Sequence, residues 1–323
     1  MSEKTTAAQA ESSARQRGGD GALTREMFRK LAKRPSAEAI AGESVPLWRD
    51  AMRRLVRNRL AMSGLAFLAL LSAMAVIGPV ISPHDYYTNN LDMTNQPPSA
   101  EYWFGTDHLG RDLFSRVWMG ARISLTVGLA AAFIDLIIGV VYGGIMGYAG
   151  GRLDEAMNKI SEILYSIPYL LVVILLLVVM EPSMWTIIAA LCVTGWINMS
   201  WIVRGQILQL KTQEYVLAAR SMGAGPMRIL FRHLIPNSLG PIIVTLTLSV
   251  PSAIFAEAFL SFLGLGVQSP AASWGTMIND SLASWSLYPW QLLIPAALLS
   301  LTMLAFNVFG DGLRDAFDPK LKK

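Results

Sequence analysis

Six long apolar runs divide this 323-residue sequence, and each is long enough to cross a lipid bilayer as a helix. About 20 helical residues span the hydrocarbon core, where the chain must satisfy its own backbone polar groups. Only 15% of the residues are charged, against about 25% in soluble domains. We therefore predict an all-α membrane protein whose domain at residues 60–310 contains six transmembrane helices: Leu60–Ile81, Ile123–Tyr148, Ile163–Met180, Met184–Val203, Ser238–Gly264 and Trp290–Gly310.

The basic residues are distributed unevenly between the two sides that these spans define. Of the 27 Lys and Arg residues, 24 lie before the first span, in the connections after the second and fourth spans, or after the sixth. The opposite side has Arg111, Arg116 and Arg122. Positive charge is retained on the cytoplasmic side, so both termini are predicted to be cytoplasmic. This topology accounts for the net charge of +4 without a nucleic-acid partner.

Three segments are predicted outside the spans. Residues 1–44 are polar and lack the apolar core of a cleavable signal, which favours a disordered cytoplasmic tail. Residues 45–59 place apolar and arginine side chains at helical spacing, which is typical of an amphipathic helix on membrane lipid. Residues 311–323 are predicted to form a cytoplasmic tail.

The connection at residues 204–237 is long for a simple link between spans, and its pattern predicts two short helices. Thr212 is predicted to cap a first helix over Glu214–Ser221, with the acid favourably placed in the first turn. Gly223 suits the left-handed conformation that ends a helix. The first helix should therefore turn sharply at this glycine.

The second helix of this connection is predicted over Met227–Leu234. Pro226 suits its first position, and Pro236 should stop it. Arg228 and Arg232 are four residues apart and should share one face. Two short helices around a glycine corner would project from the membrane and offer a docking surface.

Two acidic residues, Asp135 and Glu257, interrupt otherwise apolar spans. Ionisable groups at this depth are costly and usually face a protein interior or a wet cavity. They are candidates for a translocation path or gate, and the alternative is a buried hydrogen bond to another helix. Glycines recur every fourth residue in the second span, which predicts close helix packing there: Gly139, Gly143 and Gly147.

The loop resembles a known family motif. Ala218 and Ala219, followed by Gly223 and then by Ile235 and Pro236, are similar to the EAA loop of ABC importer permeases. In that family the loop docks into a cleft of the ATP-binding subunit. Leu217 stands where the family has Glu, and Glu214 is the nearest acid. The expected ATPase-coupling residues are Glu214, Ala218, Ala219, Gly223, Arg228 and Arg232.

Further blocks resemble the C-type subunits of dipeptide, oligopeptide and nickel permeases, over roughly residues 50–318. They are Phe104–Arg116, Gly120–Leu125, Glu257–Gly266 and Phe306–Asp315. The resemblance implies the type I ABC importer permease architecture in a bacterial cytoplasmic membrane. It also implies four kinds of partner: a second, B-type permease subunit, two ATP-binding subunits and an extracytoplasmic substrate-binding protein.

The expected function is import of dipeptides or oligopeptides by alternating access. No G-x-x-x-x-G-K-[ST] phosphate loop occurs, so this chain is not expected to be an enzyme, and ATP and Mg would be used by the partner ATPase subunits. We expect no bound cofactor and no metal site, since the three histidines lie on separate segments and Cys192 is the single cysteine.

Three alternatives remain open from the sequence. The cargo could be nickel or a metal chelate carried by the same type of permease. An ion-driven secondary transporter could use Asp135 and Glu257 as proton sites, but it would not need the patterned loop. A membrane scaffold without transport activity would leave the acids in the spans unexplained.

Overall fold

The computed structural model describes residues 47–317, and these residues fold into helices with no β-strand. The predictions for residues 1–44 and 318–323 lie outside the described range. The helices are α1 Leu47–Arg57, α2 Arg59–Ile81, α3 Leu113–Ala149, α4 Gly151–Ser166, α5 Tyr169–Val179, α6 Met184–Cys192, α7 Trp196–Leu210, α8 Glu214–Ser221, α9 Pro226–Ile229, α10 Ile235–Asn237, α11 Leu239–Phe262, α12 Trp274–Ser281 and α13 Pro289–Phe317.

Five stretches of helix are long and apolar enough to cross a membrane: α2, α3, α6 with α7, α11 and α13. The pair α4 and α5 makes a sixth if the two helices together are one broken span. Many apolar side chains remain exposed on these helices, and Val178 and Val179 are 79% and 82% exposed. The structure therefore confirms the all-helical, multi-pass membrane fold.

The second span begins at Leu113 rather than at the predicted Ile123. The sequence prediction left out the turns before Ile123 because they contain charged residues. In the structure the charges at this end of the helix have partners. The carboxylate of Asp112 caps α3 by accepting a hydrogen bond from the Ser115 backbone N–H at 2.9 Å. The Arg116 guanidinium lies 3.3 Å from the carboxylate of Asp107.

The predicted third span, Ile163–Met180, is wrong as one continuous helix. Helix α4 ends at Ser166, and α5 begins at Tyr169 after a bend of 79°. Pro168 stands in the bend and precedes the first residue of α5. Proline lacks the backbone N–H that a continuous helix would use, and it pushes the preceding residue out of the helical conformation.

The two ends of the chain's described part pack together. Within the predicted segment 45–59 a helix is observed as α1, and its Ala51 and Leu55 are buried against Ala61 and Ala316. Helix α13 continues to Phe317, so the predicted tail at residues 311–323 begins as part of the sixth spanning helix. Packing against α1 gives this last helical segment its apolar contacts.

Helix α3 is the central element of the bundle and packs against α2, α7 and α11. The predicted close packing at its glycines is confirmed. A Cβ atom on Gly143 would collide with the carbonyl oxygen of Ser200, and one on Gly139 would lie 2.6 Å from Cβ of Met199. The glycines let the backbones of α3 and α7 approach within a distance that no larger residue permits.

A proline-induced gap in α2 is filled by a side chain from α3. Pro79 lies inside α2 and has no N–H to donate to the carbonyl oxygen of Ala75. Arg122 donates from Nε to that oxygen at 3.1 Å, and from Nη2 to the carbonyl oxygen of Val76 at 3.2 Å. This contact satisfies a backbone acceptor in a region where an unpaired polar group is costly.

Candidate coupling surface and translocation cavity

The helix predicted over Glu214–Ser221 is observed with the same bounds as α8. Its cap was predicted wrongly. Gln213 occupies the N-cap position, and the Thr212 hydroxyl instead donates to the carbonyl oxygen of Gln209 at 3.1 Å. Thr212 therefore bonds to the last turn of α7. Helix α7 continues to Leu210 and leaves only three residues before α8.

The corner after α8 has the predicted glycine conformation. Gly223 has φ +83°, a left-handed value that other residues adopt only with strain. Its N–H donates to the carbonyl oxygen of Arg220, and the N–H of Ala224 donates to that of Ala219 at 3.1 Å. Pro226 is the first residue of α9, as predicted. The corner is therefore fixed by backbone hydrogen bonds.

The second helix of the loop does not stop at Pro236. Helix α9 passes into a π-helical turn over Leu230–Leu234, then into α10, and Ser238 keeps a helical conformation before α11. Pro236 lies in the first turn of α10, directly after the π-helical turn, and the helical path continues past it. A nearly continuous helical path therefore joins the projecting loop to the fifth spanning helix.

The α8–α9 segment, residues 214–229, has a buried side and an exposed side. Val216 and Ala219 are buried, and Val216 packs with Ile229 and Leu230 in the cluster that α7 and α11 share. The expected coupling residues Glu214, Ala218, Gly223, Arg228 and Arg232 are exposed, whereas Ala219 faces the bundle. Large apolar side chains are also exposed around them: Leu217, Met222, Met227 and Phe231.

A direct contact ties this segment to the central helix. The Lys211 ammonium group donates to the carbonyl oxygen of Gly147 at 2.8 Å. Gly147 lies at the end of α3, where a helix leaves its carbonyl groups without N–H partners. The residue that leads into α8 is thereby held to the end of α3.

A cavity of about 390 Å³ lies between the spanning helices. Its wall includes the sites where helices are interrupted: Tyr169 follows the bend between α4 and α5, Thr194 and Gly195 separate α6 from α7, and Ser252 follows Pro251 inside α11. Asp135, one of the two predicted path acids, also lines this cavity. Sequence patterns alone did not indicate that these breaks would meet.

Asp135 is held close to the glycine between α6 and α7. A Cβ atom on Gly195 would collide with the Asp135 carboxylate, so the carboxylate lies directly against this glycine. Its Oδ1 atom is buried and accepts no hydrogen bond from the described residues, and the buried Tyr169 hydroxyl likewise has no partner among them. Both residues line the cavity, and neither of these two atoms has a hydrogen-bond partner among the described residues.

Glu257 has a different environment. It is fully buried and accepts hydrogen bonds from Ser124 on α3 at 2.8 Å and from Ser261 at 2.7 Å. The hydroxyl of Ser273, the N-cap of α12, donates to Ser261 Oγ at 3.1 Å. Glu257 thus joins three helices through serine hydroxyls and does not line the cavity of Asp135. Ser261, four residues after Glu257 on the same helix, was the available sequence signal for this cluster.

Comparison with known proteins agrees with this architecture. The family described as binding-protein-dependent transport system inner membrane component matches residues 139–323. The N-terminal TM domain of oligopeptide transport permease C matches residues 46–98. The MetNI methionine ABC transporter in an inward-facing conformation has the same fold, with a TM-score of 0.53 and 19% identity over 62% of this chain and 97% of that chain.

Curated relatives are similar over nearly their whole length. The oligopeptide transport system permease protein OppC of Bacillus subtilis is 55% identical, over 93% of this chain and 99% of the relative. The dipeptide transport system permease protein DppC of the same organism is 58% identical, over 90% and 91%. OppC of Escherichia coli K12 is 43% identical, over 88% and 95%. With the multi-pass helical bundle and the projecting loop, these matches show that the chain belongs to the OppC/DppC family of ABC importer permeases.

Proposed function

We propose that this chain is the membrane permease subunit of an ATP-driven importer that carries dipeptides or oligopeptides across a bacterial cytoplasmic membrane. The observation that carries the proposal is one helix bundle that holds both a projecting loop and an internal cavity. The peptide cargo follows from the relatives, which are named oligopeptide and dipeptide permeases.

The α8–α9 segment would receive the movement of two partner ATP-binding subunits. Its exposed face combines large apolar side chains such as Met222 and Met227 with Arg228, and the exposed Arg232 follows it. Exposed apolar area of this kind, rimmed by charge, is typical of protein interfaces. ATP and Mg would be bound by the partners, since this chain has no phosphate-binding loop.

Force applied to this face would reach the spanning helices through existing contacts. Val216 and Ile229 pack against the bundle, Lys211 holds the end of α3, and α9 and α10 continue into α11. Small movements of a rigid, well-packed element displace its neighbours because packed interiors are hardly compressible. The loop would therefore shift α3 and α11, which both line the cavity.

Alternating access would require further subunits around this chain. A second, B-type permease subunit would close the cavity on the side that this chain leaves open, and an extracytoplasmic binding protein would deliver the peptide. Both termini would be cytoplasmic, on the side of α8. In this arrangement the helices that surround Asp135 rock between an inward and an outward opening.

The decisive experiment compares uptake in cells with and without this chain. Labelled dipeptide and pentapeptide are the test cargoes, and nickel uptake is measured in parallel. The proposal requires that deletion abolishes ATP-dependent peptide uptake and that the wild-type chain restores it. Loss of nickel uptake alone would move the cargo to a metal or chelate. Peptide uptake driven by an ion gradient without ATP would favour the secondary transporter.

A further inference from the structure

We propose that the cavity between α3, α5, α7 and α11 holds the amino-terminal ammonium group of the passing peptide, with Asp135 as its counter-charge. This inference rests on the proposed function and adds to it the chemical group that the cavity recognises. It is carried by an acid that has no cation beside it, and by the hydrogen-bonding character of the cavity wall.

Asp135 lies deep in the bundle. It is 14 residues before the end of α3, or roughly 21 Å along the helix, in a hydrocarbon core about 30 Å thick. The residues that line its cavity include no Lys, Arg or His. The nearby Cys192 thiol lies 3.9 Å from the carbonyl oxygen of Ala131, and a thiol is a weak donor without positive charge. A carboxylate at this depth requires a cationic or strongly donating partner.

The hydroxyl groups of α11 in the cavity wall are arranged as acceptors. Thr245, Ser249 and Ser252 each donate a hydrogen bond to a carbonyl oxygen one turn earlier in their own helix, at 2.9, 2.9 and 3.2 Å. A hydroxyl has one proton to donate and two lone pairs. Each hydroxyl therefore has its proton engaged and its lone pairs left as acceptors in the cavity wall.

An ammonium group matches this wall because it has three N–H donors and no acceptor. A carboxylate in the ligand would instead meet the charge of Asp135. Among the described residues there is also no group of three or more His, Cys, Asp or Glu side chains that could hold a metal ion. Every unmodified peptide carries an amino-terminal ammonium group, so recognition of this group leaves the side-chain sequence unrestricted.

The size of the cavity is consistent with a peptide end. Its volume of about 390 Å³ lies at the lower end of the range for small-molecule sites, about 300–1,000 Å³. Tyr169 also lines the cavity, beside Ala253 and Ala256 of α11. Together these groups orient one end of a peptide rather than enclose a whole pentapeptide.

The test uses the assembled transporter in membranes without its binding protein, so that only the membrane subunits select the ligand. Two photoreactive tripeptides without Lys, Arg or His are compared, one with a free amino terminus and one N-acetylated. Capture on the segments that line the cavity is quantified by mass spectrometry. The wild type should capture the free peptide at least about tenfold better than the acetylated one, since loss of a buried charge partner is costly.

Two variants test the role of the carboxylate. Asp135→Asn should lower capture of the free peptide to the level of the acetylated one. Gly195→Ala keeps the charge but places a methyl group against the carboxylate, and it should also reduce the preference. Gly205→Ala is the matched control on α7, because a Cβ atom there meets no atom within 4 Å, and it should leave the preference unchanged.

The possible failures are distinguishable. Equal capture of both tripeptides by the wild type, or an undiminished preference in Asp135→Asn, would overturn the inference. Absence of capture in this cavity, in a transporter that imports peptide when the binding protein is present, would also overturn it while the proposed function stands. If the complete wild-type system imports no peptide at all, the proposed function itself fails.

Discussion

Arg204 holds Asp154 through two parallel hydrogen bonds, from Nε to Oδ1 at 2.6 Å and from Nη2 to Oδ2 at 2.8 Å. The pair joins α7 to α4 across 50 residues of sequence, and Asp154 is buried while the arginine side chain is one-third exposed. It lies where α7 leaves the spanning region and approaches α8. The forked contact fixes both the distance and the angle between these helices.

Arg204→Lys should destabilise the solubilised protein by about 2 kcal/mol. Lysine retains the positive charge but cannot make the two parallel bonds, so one oxygen of a buried carboxylate loses its partner. The free energy of unfolding, obtained from denaturation in detergent, measures the effect. Lys159→Ala is the matched control, because the pair of Lys159 with Glu162 is exposed to solvent and should contribute far less to stability. Equal losses of stability in the two variants would show that the buried Arg204–Asp154 pair matters no more than the exposed Lys159–Glu162 pair.

Gly143→Ala should destabilise the bundle by about 1–3 kcal/mol. The added methyl group would collide with the carbonyl oxygen of Ser200, which is rigid backbone. Gly144→Ala is the neighbouring control, since its Cβ atom would meet the Leu230 side chain at an ordinary 3.4 Å. The midpoint of thermal unfolding is measured for both variants. A larger loss of stability in Gly144→Ala would show that the α3–α7 contact at Gly143 is not the more tightly packed of the two.

Gly223→Val should uncouple ATP hydrolysis from peptide uptake in the assembled transporter. A β-branched residue is strained at φ +83°, so the corner between α8 and α9 would open. Gly225→Ala should retain coupling, because Gly225 has φ −71° and free space around its Cβ position. The measured quantity is the number of ATP molecules hydrolysed per peptide imported. An unchanged ratio in Gly223→Val would refute the coupling role of this corner.

Glu257→Ala should lower transport while the complex still assembles. The change leaves the buried hydroxyls of Ser124 and Ser261 without their acceptor, which loosens the attachment of α12 to α3 and α11. Glu257→Gln keeps one acceptor oxygen and should retain more activity than Glu257→Ala. Uptake is compared at equal expression, with co-purification as the measure of assembly. Full uptake by Glu257→Ala would show that this cluster is dispensable.

Features that depend on local sequence were predictable. The apolar runs predicted most of the spanning helices, Gly223 and Pro226 predicted the corner after α8, and the spacing of Gly139 and Gly143 predicted close packing against another helix, though not which one. Each depends on residues within one or two helical turns. Pro168 is a local signal for the bend between α4 and α5 that the sequence prediction of one continuous span did not use.

Features that depend on distant pairings were not predictable. Asp135 could be recognised as unusual from the sequence. Its contact with Gly195 and its place in one cavity with the α11 hydroxyl groups depend on how distant segments pack together. The extra turns of α3 before Ile123 were missed because the charge of Arg116 is compensated by Asp107. A single sequence shows the charges and does not show which of them are paired.

The length of α3 has a mechanical consequence. Its 37 residues extend about 55 Å, well beyond a hydrocarbon core about 30 Å thick, and contacts hold it at both extremities: Lys211 at Gly147 and Trp274 at Val117. A rod that is unbroken and carries loads at both ends behaves as a lever. If it tilts about its middle, near the level of Asp135, its two ends swing in opposite directions. The movement of this single helix would then open the pathway at one end and close it at the other.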